Sequence, residues 1–246
     1  MDIQKDNQNK NEEKEINERD IDILEEFIYP YYISFYTNTD RILDLIALYI
    51  KLKKTSEFQS DHSLDDILRI SIVFTHATLE DFLRTLASKL LPFSGSEALN
   101  QIPLAGFSPS GRAEKFLLGN LVKFKGKTID EVIQESVNGS LQNSNFNNTK
   151  EISQLLKSLN IDITKVNETF PEIDELMKRR HIIVHRADKL KEGNSNEDCY
   201  KDVDSKEVLS WLQAVQKLID NILIDIARQQ NASPQLIKDI FTHLKR

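Results

Sequence analysis

Apolar positions recur along most of the chain with the 3.6-residue period of an α-helix. The clearest segment spans residues 63–91, where apolar side chains lie on more than one face of the predicted helix. Ser63 and Asp66 have the pattern of a capping box, and Pro92 predicts the end of the helix. We expect this helix at the centre of a bundle. Its apolar positions include Leu68, Ile72, Phe74, Leu79, Phe82, Leu83 and Leu86.

A second helical pattern begins near Ile21, is interrupted around Pro30 and resumes at Asp40, the predicted N-cap of a helix that extends to residue 54. Glycine and proline are scarce, and no segment has a convincing strand pattern. The sequence therefore predicts an all-α fold, an antiparallel bundle of about four long helices with an inserted helical subregion. Further helices are predicted over residues 112–118, 129–137, 149–159, 174–184 and 205–229, and from Ser233-Pro234 to Leu244.

The chain divides into a leader and one domain. Residues 1–20 are rich in lysine, glutamate, asparagine and aspartate, so we expect a flexible charged leader or a frayed extension of the first helix. Residues 21–246 have the length of a single helical domain. Within it, the composition shifts towards glycine, serine and proline after Phe93, and we expect an insertion over about residues 93–165.

The amino-acid composition limits the cellular compartment and the ligands that we expect for the protein. Cys199 is the only cysteine, which excludes an internal disulfide and a thiolate metal cluster. The N-terminal residues have no apolar signal segment and no run could cross a bilayer, so the sequence predicts a cytoplasmic protein without a membrane partner. The net charge of −7 argues against a general nucleic-acid coat protein but permits RNA binding in a local cleft. Basic residues do cluster near one motif: Lys178, Arg179, Arg180, Arg186, Lys189 and Lys191.

That motif runs from Arg180 to His185, with apolar residues between the two ends and a second polar residue, His181, after the arginine. Arginine binds phosphate through a planar fork, and histidine titrates close to neutral pH. The pair is a minimal set of groups for breaking a phosphodiester without a metal. Residues five apart on a regular helix are about 140° apart around its axis. The two side chains therefore converge only through the reach of arginine, a bent helix end or a partner subunit.

Each motif residue also has a structural interpretation. His185 fits a histidine packed at a helix end with its ring nitrogens hydrogen-bonded. Arg180 fits an ion pair with Glu80 or Asp81 across the bundle. A carboxylate that orients the arginine would support catalysis at the same time, so Glu80 is a candidate supporting residue.

Two neighbours of the motif have alternatives as well. Arg179 fits either a phosphate contact or a solvated surface arginine. His181 and His185 share a helix face, as metal ligands on a helix do, but zinc usually needs a third protein ligand and the glutamate of an HExxH motif is absent. We therefore expect no metal and no other cofactor. A polar residue recurs at every fourth position at His76, Glu80 and Arg84. This pattern indicates a polar seam between helices. In one interpretation the seam faces the motif.

The arginine-polar-x3-histidine pattern near a helix end resembles the signature of HEPN domains. Three more stretches are similar to the RiboL-PSP-HEPN branch: the helix over residues 63–91, the stretch over residues 147–163, and the spacing from the motif to the Trp211 helix. The resemblance covers roughly residues 40 to 230. It implies a homodimeric, metal-independent endoribonuclease that cleaves RNA by 2′-hydroxyl attack and leaves a 2′,3′-cyclic phosphate.

In that resemblance His185 is the general base or acid and Arg180 stabilises the transition state, with His181, Glu80 and Arg179 in support. The biological role it implies is a toxin or an anti-phage defence effector with an antitoxin or another defence-system protein as partner. HEPN toxins silenced by a nucleotidyltransferase carry a tyrosine two positions after the histidine, where this chain has Ala187. The alternatives are a non-catalytic HEPN module that binds nucleotides, RNA or protein, and an antitoxin-like partner.

Overall fold

The computed structural model describes residues 18–55, 62–104, 118–142, 144–189 and 200–243. Within these segments the regular structure is helical, and β-pairing is limited to one isolated antiparallel bridge between Lys189 and Tyr200. The predicted all-α fold is confirmed. No helix in these segments is both long enough and apolar enough to cross a membrane.

The α-helices of the described segments are labelled α1 to α9 in chain order. A π-helical stretch, Leu24–Ile28, separates the first two, and 3-10 turns flank several others. Their bounds are α1 Glu18–Ile23, α2 Tyr29–Lys53, α3 Asp65–Leu90, α4 Ser96–Leu99, α5 Ile129–Leu141, α6 Thr149–Ser158, α7 Phe170–Arg186, α8 Ser205–Gln229 and α9 Pro234–His243.

Helix α3 lies at the centre of the bundle, as its apolar pattern predicts. It packs against α2, α5, α7 and α8, and it buries Leu68, Ile72, Leu79 and Leu83 almost completely. Close packing of such side chains is the main source of stability for amphipathic helices. Trp211 on α8 is buried in the same core. Helix α7, which carries the arginine-histidine motif, is therefore held between α3 and α8.

The N-terminal helices differ from the sequence prediction. Asp40 is not an N-cap but lies within α2, which begins at Tyr29 with Pro30 in its first turn. Proline is tolerated there because the first N–H groups of a helix have no intrahelical partner. Leu64, not Ser63, is the N-cap of α3, and no side-chain hydrogen bond caps that end. The predicted stop at Pro92 is confirmed, since a 3-10 turn over Leu91–Phe93 follows α3.

The other predicted boundaries agree to different degrees. Helix α8 matches the predicted residues 205–229, and α6 ends one residue before the prediction. Helix α7 begins four residues earlier than predicted because Pro171 fits its first turn, and α5 continues four residues further. A capping box formed by Thr128 and Glu131 fixes the start of α5. The predicted helix over residues 112–118 and the leader, apart from residues 18–20, fall outside the described residues, although a 3-10 turn begins at Leu118.

A buried carboxylate fixes the C-terminal end of α7. Asp188 has no exposed surface, and its Oδ2 accepts from Arg69 Nε of α3 and from Arg179 Nη2 of α7, both at 2.7 Å. The same two guanidinium groups donate to the main-chain carbonyl of Lys201, at 3.1 and 2.9 Å. The main chains of Lys201 and Asp188 are also joined, at 3.3 Å. One carboxylate thus ties α3, the end of α7 and the segment before α8 together.

We predict that Asp188→Asn lowers the free energy of unfolding by about 3–5 kcal/mol, because it removes the buried negative charge that Arg69 and Arg179 share. Urea unfolding followed by circular dichroism measures the change. Asp66→Asn is the matched control, since Asp66 also pairs with Arg69 but is 70% exposed, and its loss should cost less than about 1 kcal/mol. Equal losses in the two variants would contradict this role of Asp188.

Candidate functional site

Helix α7 ends in an exposed, left-handed turn immediately after the motif. Ala187 and Asp188 both have positive φ, 47° and 62°, and the main-chain N–H of Asp188 donates back to the carbonyl of Ile182 at 3.3 Å. The main-chain N–H of Ala187 donates to the same carbonyl, so both residues of the turn are bonded back to the last turn of the helix. The turn directs Asp188 into the interior and leaves His181, Val184 and His185 exposed. The end of α7 therefore presents two histidines to solvent.

Arg180 lies on a different face of α7 and is half-buried against α3. Its neighbour there is His76, which is 2% exposed. Burial, followed by the positive charge of Arg180, lowers the pKa of His76 below its ordinary value. The Nε atom of Arg180 is buried and has no hydrogen-bond partner among the residues that the structure describes. Arg180 is thus held in place by packing and not by an ion pair.

The predicted ion pair of Arg180 with Glu80 or Asp81 does not form. Glu80 binds Arg84 instead, with its Oε1 at 2.6 Å from Nη2 and 3.1 Å from Nε, because the two residues are one turn apart on α3. Asp81 is exposed and accepts from Ser34 Oγ at 3.5 Å. Both carboxylates are therefore partnered elsewhere.

The polar seam of α3 does face the motif, as one interpretation of the sequence proposed. The Nδ1 atom of His76 lies 3.8 Å from Glu80 Oε2, and the main chain of Phe146 also contacts the imidazole and raises its pKa. Arg84 extends the seam by donating to the main-chain carbonyl of Leu141. Glu80 thus lies beside His76, on whose imidazole the charge of Arg180 also acts. The sequence pattern indicated the seam, but not this effect of Arg180 on His76.

His185 is not packed at the helix end, so the structural interpretation of this residue is wrong. Its side chain is exposed and makes no hydrogen bond to any described residue. Its ring lies 4.5 Å from that of His181, centroid to centroid, with the planes tilted by 46°. In the described part of the chain, no cluster of three histidine, cysteine, aspartate or glutamate side chains could bind a metal ion.

No hydrogen bond joins Arg180 to His185 among the described contacts. Arg180 is half-buried, whereas His185 is exposed at the C-terminal end of α7. This difference in exposure agrees with positions that lie about 140° apart around a helix.

Arg179 is neither a solvated surface arginine nor available for phosphate, which corrects the prediction. It is 3% exposed and bound to Asp188 and to the main-chain carbonyls of Lys201 and Asp202, at 2.9 and 3.2 Å. Burial lowers its pKa. The sequence analysis missed Asp188 and Arg69 altogether. The ion pair between Asp188 and Arg69 depends on the turn after α7, and a periodic pattern of apolar residues does not predict such a turn.

The model of the RiboL-PSP-HEPN family matches residues 36–228, which include α3, the motif on α7 and nearly all of α8. No curated protein and no solved structure matches the chain.

We predict that Arg180→Gln raises the pKa of His76, because it removes a positive charge that lowers this pKa and leaves the burial of the imidazole largely unchanged. Titration of the His76 ring protons by NMR measures this pKa. Arg186→Gln is the matched control on the exposed end of the same helix and should leave the pKa of His76 where it is. An unchanged value in Arg180→Gln would show that Arg180 does not face His76.

Proposed function

Since this chain belongs to the RiboL-PSP-HEPN family, we propose that it is a metal-independent endoribonuclease that acts as a homodimer. One observation carries the proposal. The end of α7 combines an exposed His185, which makes no hydrogen bond to a described residue, with a half-buried Arg180 whose Nε has no hydrogen-bond partner among the described residues. Buried polar atoms of proteins are usually hydrogen-bonded. In this proposal the RNA supplies the partner that these two side chains lack.

The reaction follows from the chemistry of the two side chains. The ribose 2′-oxygen attacks the adjacent phosphorus and loses its proton to one imidazole, while the bond from phosphorus to the 5′-oxygen breaks. The leaving 5′-oxygen takes a proton from a second imidazole. The products are a 2′,3′-cyclic phosphate and a free 5′-hydroxyl. Arg180 binds the non-bridging oxygens, where negative charge develops in the transition state.

The homodimer supplies the second imidazole. Two α7 helices that face each other would place His185 of each chain on opposite sides of one phosphate, so that one acts as base and the other as acid. Val184, between the two histidines, is 47% exposed and would contact the partner helix in this arrangement. A composite cleft also concentrates positive charge, which explains how a chain with a net charge of −7 binds RNA.

The supporting residues act at different distances from the phosphate. His181 lies beside His185 and would contact the RNA backbone or orient the catalytic ring. Glu80 would act through His76, on whose imidazole the charge of Arg180 also acts. Arg179 would act only by fixing the end of α7 through Asp188. We further propose, from the family alone, a role as a toxin or anti-phage effector restrained by an antitoxin or another defence-system protein.

Cleavage of mixed RNA in EDTA tests the proposal. We predict that wild-type protein cleaves it, that His185→Ala lowers the rate by about 10²–10⁴-fold, and that Arg180→Ala lowers it by about 10²–10³-fold, as loss of an oxyanion contact does. The first-order loss of full-length RNA measures the rates.

Arg228→Ala, which removes an exposed arginine at the end of α8, is the control and should cleave at the wild-type rate. Sedimentation equilibrium of each variant checks that the dimer persists. If folded, dimeric wild-type protein leaves RNA intact while binding it, the chain is a non-catalytic RNA-binding module. If it neither cleaves nor binds RNA, a protein-interaction or antitoxin-like function replaces the nuclease.

A further inference from the structure

A cleft of about 350 Å³ lies beside the polar seam, between α5, the turn after α3 and the segment that leads into α6. Its volume falls within the range of about 300–1,000 Å³ that is typical of small-molecule sites. Aliphatic side chains form its walls, and hydroxyl and amide side chains lie along its rim. The walls include Leu91, Ile102, Val137 and Leu155, and the rim includes Ser140, Asn145, Asn147 and Gln154.

The rim is held in a fixed shape by hydrogen bonds within the segment before α6. The carboxylate of Glu151 accepts from the main-chain N–H of Asn147 at 3.1 Å and from the side-chain amide of Asn148 at 2.6 Å. Phe146 has a φ of 41°, a conformation that is uncommon for an aromatic residue and is retained only where the surroundings enforce it. Its ring is 6% exposed, so the segment is anchored in the core.

Phe146 and His76 connect the cleft to the motif. Phe146 lines the cleft and its main chain contacts His76, and the positive charge of Arg180 acts on the His76 imidazole. Arg84, the other end of the polar seam, donates to Leu141 and lies 3.5 Å from Asn145 Oδ1, both of which line the cleft. The polar seam therefore borders the lining of the cleft.

The charge of the lining selects the kind of occupant. No lysine, arginine or histidine is among the described residues that line the cleft, and its one charged residue is Glu151. A phosphate would be repelled from such a site. A flat ring with a polar edge suits it, because aliphatic walls contact the faces of the ring while amide groups hydrogen-bond to its edge.

We propose that this cleft binds a nucleobase of the RNA, next to the phosphate that Arg180 contacts. The proposal rests on the proposed ribonuclease function and extends it, since the cleft would make cleavage depend on the base at one position. Substitution of Gln154 gives the most specific test. It is exposed on α6 at the rim and makes no hydrogen bond to a described residue, so its amide is available to the base.

Calorimetric titration with the four ribonucleoside 5′-monophosphates and with ribose 5-phosphate tests the cleft without cleavage. We expect at least one nucleotide to bind wild-type protein tenfold or more tightly than ribose 5-phosphate. Gln154→Leu should weaken that binding about tenfold, and Ser140→Phe, which fills the cleft from α5, should abolish it. Gln213→Leu, which changes an exposed glutamine on α8, is the matched control and should bind as wild type does.

Two results separate this inference from the nuclease itself. RNA cleavage without any preference of binding for nucleotides over ribose 5-phosphate would overturn the base site and leave the nuclease in place. The wild-type protein could instead leave RNA intact but bind nucleotides in a base-dependent way that Gln154→Leu weakens. That result would support the base site and contradict the nuclease proposal. Equal binding by Gln154→Leu and Gln213→Leu would also overturn the inference. Circular dichroism of each variant confirms that it is folded.

Discussion

The contact of one buried carboxylate with two arginines is the constraint on which the arrangement of the motif depends. Asp188 lies in a left-handed turn directly after α7 and is bound by Arg69 from α3 and by Arg179 from α7 itself. Charges that are removed from water are costly unless they are paired and hydrogen-bonded. The turn can therefore adopt few other conformations. This fixes the last turn of α7 relative to α3, and with it the position of every motif side chain.

The helical geometry of α7 then separates residues that are adjacent in sequence. Successive residues on an α-helix differ by about 100° around its axis. Arg179 points into the Asp188 network, Arg180 is half-buried near His76, and His185 is exposed to solvent. Two consecutive arginines thus have different surroundings. Arg179 binds Asp188 through Nη2 while its Nε and Nη1 have no hydrogen-bond partner among the described residues, and the buried Nε of Arg180 has none there either.

Periodic patterns predicted those parts of the fold that depend on a helix burying one of its faces. The central place of α3 and the bounds of α8 follow from regularly spaced apolar residues, and both were predicted. Asp40 lies inside α2 and is not an N-cap, because Pro30, which indicates a break in the sequence pattern, fits the first turn of α2. The motif residues could be identified from their spacing. The burial of Arg179 could not be predicted in this way. It depends on Asp188 and on Lys201, which come together only through a turn and a loop.

The most direct measurement of the central claim is an analysis of the ends that the protein leaves on RNA. A short RNA is incubated with the wild-type protein in EDTA, beside the same sequence with every 2′-hydroxyl methylated. The account predicts cleavage of the natural RNA alone, with a 2′,3′-cyclic phosphate on one fragment and a 5′-hydroxyl on the other. Cleavage of the methylated RNA, or fragments with a 3′-hydroxyl and a 5′-phosphate, would contradict it, because neither can arise from attack by the 2′-oxygen.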